Sequence, residues 1–168
     1  MHVRVSLGDL AQTPADAIVR ATVPRFDTGP GDSLLVAAGP AVARACAELR
    51  SLVFPQGLPV GEAVSTTAGD LPARWLIHVA VPQFTVRVDH EYLFTAAYRS
   101  VLRVADELGA RTVAMRPVGS TQPYWPLDQA IRCTFSTLFG TPTEVRELAL
   151  VLATVAGCEA YAEALARE

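Results

Sequence analysis

Asp9, Arg20, Asp32 and Arg116 stand at the edges of short apolar runs, where a charged side chain can meet a ligand. Asp9 follows the alternating run Val3-Arg4-Val5-Ser6-Leu7. A carboxylate only accepts hydrogen bonds, so it selects an amine; the same residue also ends strands and begins turns. Arg20 follows Asp16-Ala17-Ile18-Val19 and carries a permanent charge. It either clamps a phosphate or pairs with Asp9 or Asp32 and fills the pocket. Thr28-Gly29-Pro30-Gly31-Asp32 is a short glycine-containing stretch ahead of a predicted helix. Gly29 and Gly31 let backbone N–H groups approach a phosphate ahead of a helix N-terminus, whereas Pro30 removes one donor. Asp32 is either a base that orients water or the N-cap of that helix. Arg116 follows the apolar run Thr112-Val113-Ala114-Met115 as a phosphate contact or a salt-bridge partner, and Val118-Gly119-Ser120-Thr121-Gln122-Pro123-Tyr124 follows it. That loop offers hydroxyl donors, and Tyr124 and Trp125 either stack on a ribose or base or serve as packing.

Other chemistries find less support. Ser65-Thr66-Thr67 lacks a Gly-x-Ser-x-Gly elbow, and neither a Walker loop nor a Gly-x-Gly-x-x-Gly fingerprint is present. His78 sits inside an apolar strand and reads as a satisfied core histidine; His2 and His90 lie at element edges. Cys46, Cys133 and Cys158 are odd in number, far apart and without metal-ligand spacing, so they read as packing residues and no metal is expected. A net charge of −3 gives no overall attraction to nucleic acid. Lys and Asn are both missing, so an arginine in place of a lysine carries little information.

These residues need a framework to hold them. At 168 residues and 51% hydrophobic, the chain predicts one packed domain spanning 1–168. No run approaches a membrane span, and the start, Met1-His2-Val3-Arg4-Val5, lacks a signal-peptide layout, so a cytoplasmic location is expected. Strands are predicted at Val3–Leu7, Asp16–Val19, Ala63–Thr67, Trp75–Val81, Thr112–Met115 and Leu148–Leu152. Pro24–Asp32 reads as a loop. A helix from Asp32 or Ser33 to about Leu49 is divided at Gly39-Pro40, and another runs from about His90 to Leu108, burying Leu93, Ala97, Val101, Leu102 and Ala105. A helix through Ala130–Leu138 and a last one over Cys158–Ala166 complete the set. Alternating strands and helices predict an α/β fold, a three-layer α/β/α sandwich around a mostly parallel mixed sheet. Ligands bind such sheets beyond the carboxyl ends of strands, here after Leu7, Val19, Met115 and Leu152.

Gly8-Asp9-Leu10, Ala15-Asp16-Ala17-Ile18-Val19, Ala37-Ala38-Gly39-Pro40, Pro59 with Gly61-Glu62-Ala63, Leu76-Ile77-His78 and Ala114–Pro126 occur in the order and spacing of a macro domain. The chain resembles that family over nearly its whole length. The resemblance implies a pocket for ADP-ribose or a related nucleotide. Asp9 and the backbone of Leu10 would read adenine, while Gly29, Gly31, Val118, Gly119, Ser120, Thr121, Gln122 and Tyr124 would embrace the phosphates and distal part. Where the family carries Asn-Ala-Ala-Asn, this chain has Arg20-Ala21-Thr22-Val23. Arg20 and Ala21 then line the pocket in altered form, and Val23 neither holds the distal ribose nor positions water. Gly31 takes the place of the acid found in many hydrolases, and Asp32 stands one step later. The resemblance therefore implies nucleotide binding with weak or no hydrolysis and no assigned catalytic residue; Asp32 is the sole catalytic candidate. An active ADP-ribosyl hydrolase and a non-binding scaffold acting through a protein partner are the alternatives. The expected partners are an ADP-ribose-like nucleotide or an ADP-ribosylated protein, with no cofactor, membrane or nucleic acid.

Overall fold

The computed structural model describes residues 1–23, 32–81, 91–120 and 125–168. Among these residues the chain order is β1 (His2–Leu7), β2 (Ala17–Thr22), α1 (Ser33–Ala38), α2 (Pro40–Glu48), β3 (Ala63–Thr67), β4 (Trp75–Ala80), α3 (Glu91–Glu107), β5 (Thr112–Met115), α4 (Leu127–Gly140), β6 (Glu147–Leu152) and α5 (Val155–Leu165). The strands form one sheet in the order β1-β6-β5-β2-β4-β3. Only the β3–β4 pairing is antiparallel.

Strand alternation sorts side chains between the two faces. Ala17, Val19, Ile77, Val79, Val113, Met115, Leu148 and Leu150 join one cluster with buried residues of α3, α4 and α5. Ile18, Leu76, Ala114 and Ala149 join another with Leu35, Ala38, Val42 and Cys46 of α1 and α2. Two helical layers enclosing one sheet make the expected α/β/α sandwich.

Several boundaries differ from the sequence reading. β2 continues three residues beyond Val19, so Arg20 lies inside a strand and not at its end. Leu93 is only partly buried, and Phe94 and Tyr98 carry the stripe of α3 instead. α5 starts at Val155, where Thr154 accepts the Gly157 N–H at 3.2 Å and caps it. A π-helical turn, Leu49–Val53, extends α2. Gly39-Pro40 does divide the first helical stretch, because Gly39 adopts φ 81° and Pro40 begins α2.

The α1–α2 junction is keyed to the β3–β4 turn. The Asp70 N–H donates to the Ala38 carbonyl at 3.0 Å. Gly69 has φ 61°, and a Cβ there would run into that carbonyl oxygen. Glycine is therefore required at this contact for both conformation and space.

Candidate functional site

An open cleft of about 270 Å³ lies at the carboxyl ends of the central strands. Asp9 and Leu10 border it after β1, Arg20 and Ala21 on β2, Asp32 at the start of α1, and Arg116 after β5. Val19, Ser33, Leu34 and Pro117 also line it, although the sequence reading had not placed them there.

The cleft wall includes a partly buried ion pair. Arg20 Nε donates to Asp32 Oδ2 at 2.6 Å, and Arg20 is only 3% exposed. Asp32 Oδ1 accepts the Leu35 N–H at 3.0 Å, which makes Asp32 the N-cap of α1. Of the readings weighed, the structure contains the cap and the ion pair: Asp32 caps α1 and is the counter-charge of Arg20. Each of its oxygens accepts one hydrogen bond. The cleft stays open despite this pair.

Behind Arg20 a directed chain of hydrogen bonds runs across the sheet. Arg20 and His78 are register partners on β2 and β4, so their side chains share a face. Arg20 Nη1 lies 3.3 Å from His78 Nδ1, and His78 Nε2 lies 2.9 Å from Thr66 Oγ1. A guanidinium has donors only, so Nδ1 must accept and Nε2 must carry the proton. The Thr66 hydroxyl then donates to the Thr67 carbonyl at 2.9 Å. Burial, with the Arg20 charge adding to it, lowers the His78 pKa to about 3. His78 is therefore the satisfied core histidine that the sequence predicted, and it also fixes the direction of the Arg20 side chain. Cys46 Sγ is 3.7 Å from His78 Nε2, and burial pushes its thiol pKa upward. Cys46 and Cys133 are buried and Cys158 is partly buried; all three are free thiols. Among the described residues no cluster of His, Cys, Asp and Glu could hold a metal.

Asp9 is exposed at the rim. Its Oδ1 accepts the Ala11 N–H at 2.9 Å and caps the short 3-10 turn Leu10–Gln12. The other carboxylate oxygen faces no protein donor among the described contacts, and Leu10 is buried beneath it. Arg116 is partly exposed, and its Nε is buried without a hydrogen bond among the described residues. Val118 is a core residue whose N–H donates to the Tyr98 hydroxyl at 2.9 Å. Gly119, at φ 81°, brings the backbone against Trp125 and Phe94, so Trp125 serves as packing. The Ser120 hydroxyl donates to the Pro117 carbonyl at 2.7 Å and borders a second cavity, not the cleft. Gly29, Gly31, Thr121, Gln122 and Tyr124, with Pro30, Pro123, His90 and most of the predicted Pro24–Asp32 loop, lie outside the described residues. Alternation could have revealed the Arg20–His78 row had β2 been extended past Val19. No local signal marked the Thr66 hydroxyl as its far end.

Comparison with known proteins agrees with this architecture. The macro domain family profile matches residues 19–134. A macro domain-containing protein of Streptomyces coelicolor is 41% identical over 160 residues, covering 94% of this chain and 95% of that protein. An O-acetyl-ADP-ribose deacetylase of Enterobacter cloacae is 36% identical over 143 residues, covering 82% and 77%. The Oceanobacillus iheyensis macrodomain superposes with a TM-score of 0.90 at 24% identity, covering 98% of this chain and 90% of that one. The Trypanosoma brucei macrodomain in complex with ADP-ribose gives 0.83 at 23% identity, covering 98% and 69%. The chain belongs to the macro domain family.

Proposed function

We propose that the cleft binds ADP-ribose or a closely related nucleotide, free or attached to a protein, without efficient hydrolysis. The observation that carries this reading is the Arg20–Asp32 pair: it leaves the cleft open and engages Asp32 as helix cap and counter-charge. Asp9 supports this reading as an acceptor for an exocyclic amine, since it is exposed at the rim and only its Oδ1 meets a protein donor among the described residues. Arg116 supplies a positive charge inside the cleft, and Arg20 adds a guanidinium whose aim is set by His78. Val23 brings no polar group for orienting water. The open cleft favours a binder over a scaffold blocked by Arg20.

Calorimetric titration with ADP-ribose, compared with AMP, tests the proposal. Saturable heat that weakens in Asp9→Ala and Arg20→Ala is the expected result. No heat and no thermal shift at millimolar ligand would remove the nucleotide reading. Turnover of an ADP-ribosyl adduct that disappears in Asp32→Asn would instead favour the hydrolase.

A further inference from the structure

α4 and α5 lie side by side and leave an open groove of about 590 Å³ between them. Its floor is apolar: Leu127 and Ile131 come from α4, and Ala160 and Ala164 from α5. Leu127, Ile131, Phe135 and Phe139 recur at every fourth position, so one stripe runs the length of α4. Phe135 is buried against Tyr161 of α5, while Leu127 and Phe139 at the two ends stay half-exposed. α5 offers alanines where α4 offers large side chains, a combination that lets a ridge of one helix enter the groove of another.

The rim of the groove is charged. Asp128 and Arg132 stand on α4, Glu163 on α5, and Arg167 and Glu168 just past its end. The Arg167 N–H still reaches the Ala164 carbonyl at 3.0 Å, so a last helical turn carries Arg167 above Glu163. All these side chains are exposed, and none forms an ion pair with another residue among those described. Neighbouring charges of both signs left unpaired suit a partner that also presents both signs. A second copy of this face does so. With α4 laid antiparallel to the other copy's α5, Asp128 meets Arg167 and Arg132 meets Glu163. Both members of each helix's pair are four residues apart, so the two contacts come into register together. A parallel arrangement would set Asp128 against Glu163 and Arg132 against Arg167, like charge against like.

We propose that α4 and α5 form a self-docking face, on which a second copy of the chain packs antiparallel across a two-fold axis and covers the apolar floor. Helices of 14 and 11 residues span about 21 and 17 Å. A face of that size lies at the small end of specific interfaces, so the dimer is reversible and depends on concentration. Sedimentation velocity of the full chain over a concentration series tests it. The parent should pass from monomer to dimer in the micromolar range. Arg132→Glu and Glu163→Arg should each weaken association at least tenfold, since each change acts twice across the axis. Combining both in one chain restores opposite charges at the contact and should return most of the affinity. Leu127→Ser, an uncharged change at a half-exposed position, should weaken association several-fold. No nucleotide is needed, so the result is independent of the proposed function. A chain that stays monomeric up to millimolar concentration overturns self-docking and leaves the groove to a helix of another protein. A dimer indifferent to the single reversals, or one that the combined reversal does not restore, places the interface elsewhere and overturns the proposal as well.

Discussion

His78 makes stability depend on pH in a way that can be isolated with one substitution. Its folded-state pKa is lowered from 6.5 to about 3, and its neutral Nδ1 accepts from Arg20. The unfolded chain takes up a proton near pH 6.5 that the folded protein refuses until far lower pH. Stability from His78 is therefore complete above pH 6.5 and is lost as pH falls toward the folded value. Between those limits the slope approaches about 1.4 kcal/mol per pH unit. From pH 7.5 to pH 5 the integrated loss is about 2 kcal/mol. In a domain of this size that corresponds to a fall in Tm of roughly 4–8 °C. His78→Gln retains a donor and an acceptor but does not titrate. Paired urea unfolding curves at pH 7.5 and pH 5 should show the loss in the parent and a difference smaller by about 2 kcal/mol in the variant. Equal pH dependence in both proteins, or a His78 ring resonance that titrates near pH 6.5, would refute the reasoning.

Three further perturbations probe the same scaffold. Asp32→Ala leaves Arg20 buried without its counter-charge and uncaps α1, so urea unfolding should register a loss of about 3–5 kcal/mol, with a smaller loss in Asp32→Asn. Gly69→Ala meets the Ala38 carbonyl oxygen at a positive φ and should cost about 3 kcal/mol, read as a lower Tm with retained secondary structure in circular dichroism. Asp16 accepts the N–H groups of Arg111 and Thr112, which hold its carboxyl below the ordinary carboxylate range. Its contribution is present above the unfolded-state pKa and is lost as pH falls through the folded one, so Asp16→Asn should flatten the acid limb of the stability profile below about pH 4.

Most of the framework was legible because its signals are local. Alternation marked β3 as Ala63–Thr67 and β5 as Thr112–Met115, and Gly39-Pro40 announced the break between α1 and α2. The site was harder to read because its charges are arranged by tertiary contacts. In sequence, Arg20 reads as the end of a buried strand, since a cation seldom continues one. Its burial is tolerable only because Asp32, twelve residues on, and His78, on the adjacent strand, receive its donors. Asp32 could be read as base or cap from sequence, and geometry joined the cap to an ion pair. The α5 boundary was placed too late because Val155 and Ala156 resemble a continuing strand until Thr154 is seen capping Gly157. The groove between α4 and α5 joins residues from two separate stretches, and neither segment alone carries its signature.

The short helix α1 is anchored at both ends. At the cleft, Asp32 fastens its first turn to Arg20; at the far end, the Ala38 carbonyl is bonded to the β3–β4 turn beside Gly69. A six-residue helix spans only about 9 Å, so neither end can swing while the other stays fixed. This wall is preorganised: on the proposed function, a ligand entering the cleft meets a helix already ordered and a guanidinium already held by Asp32 and His78. The entropic cost of shaping that side of the site is borne during folding, which leaves more of the contact energy available for affinity.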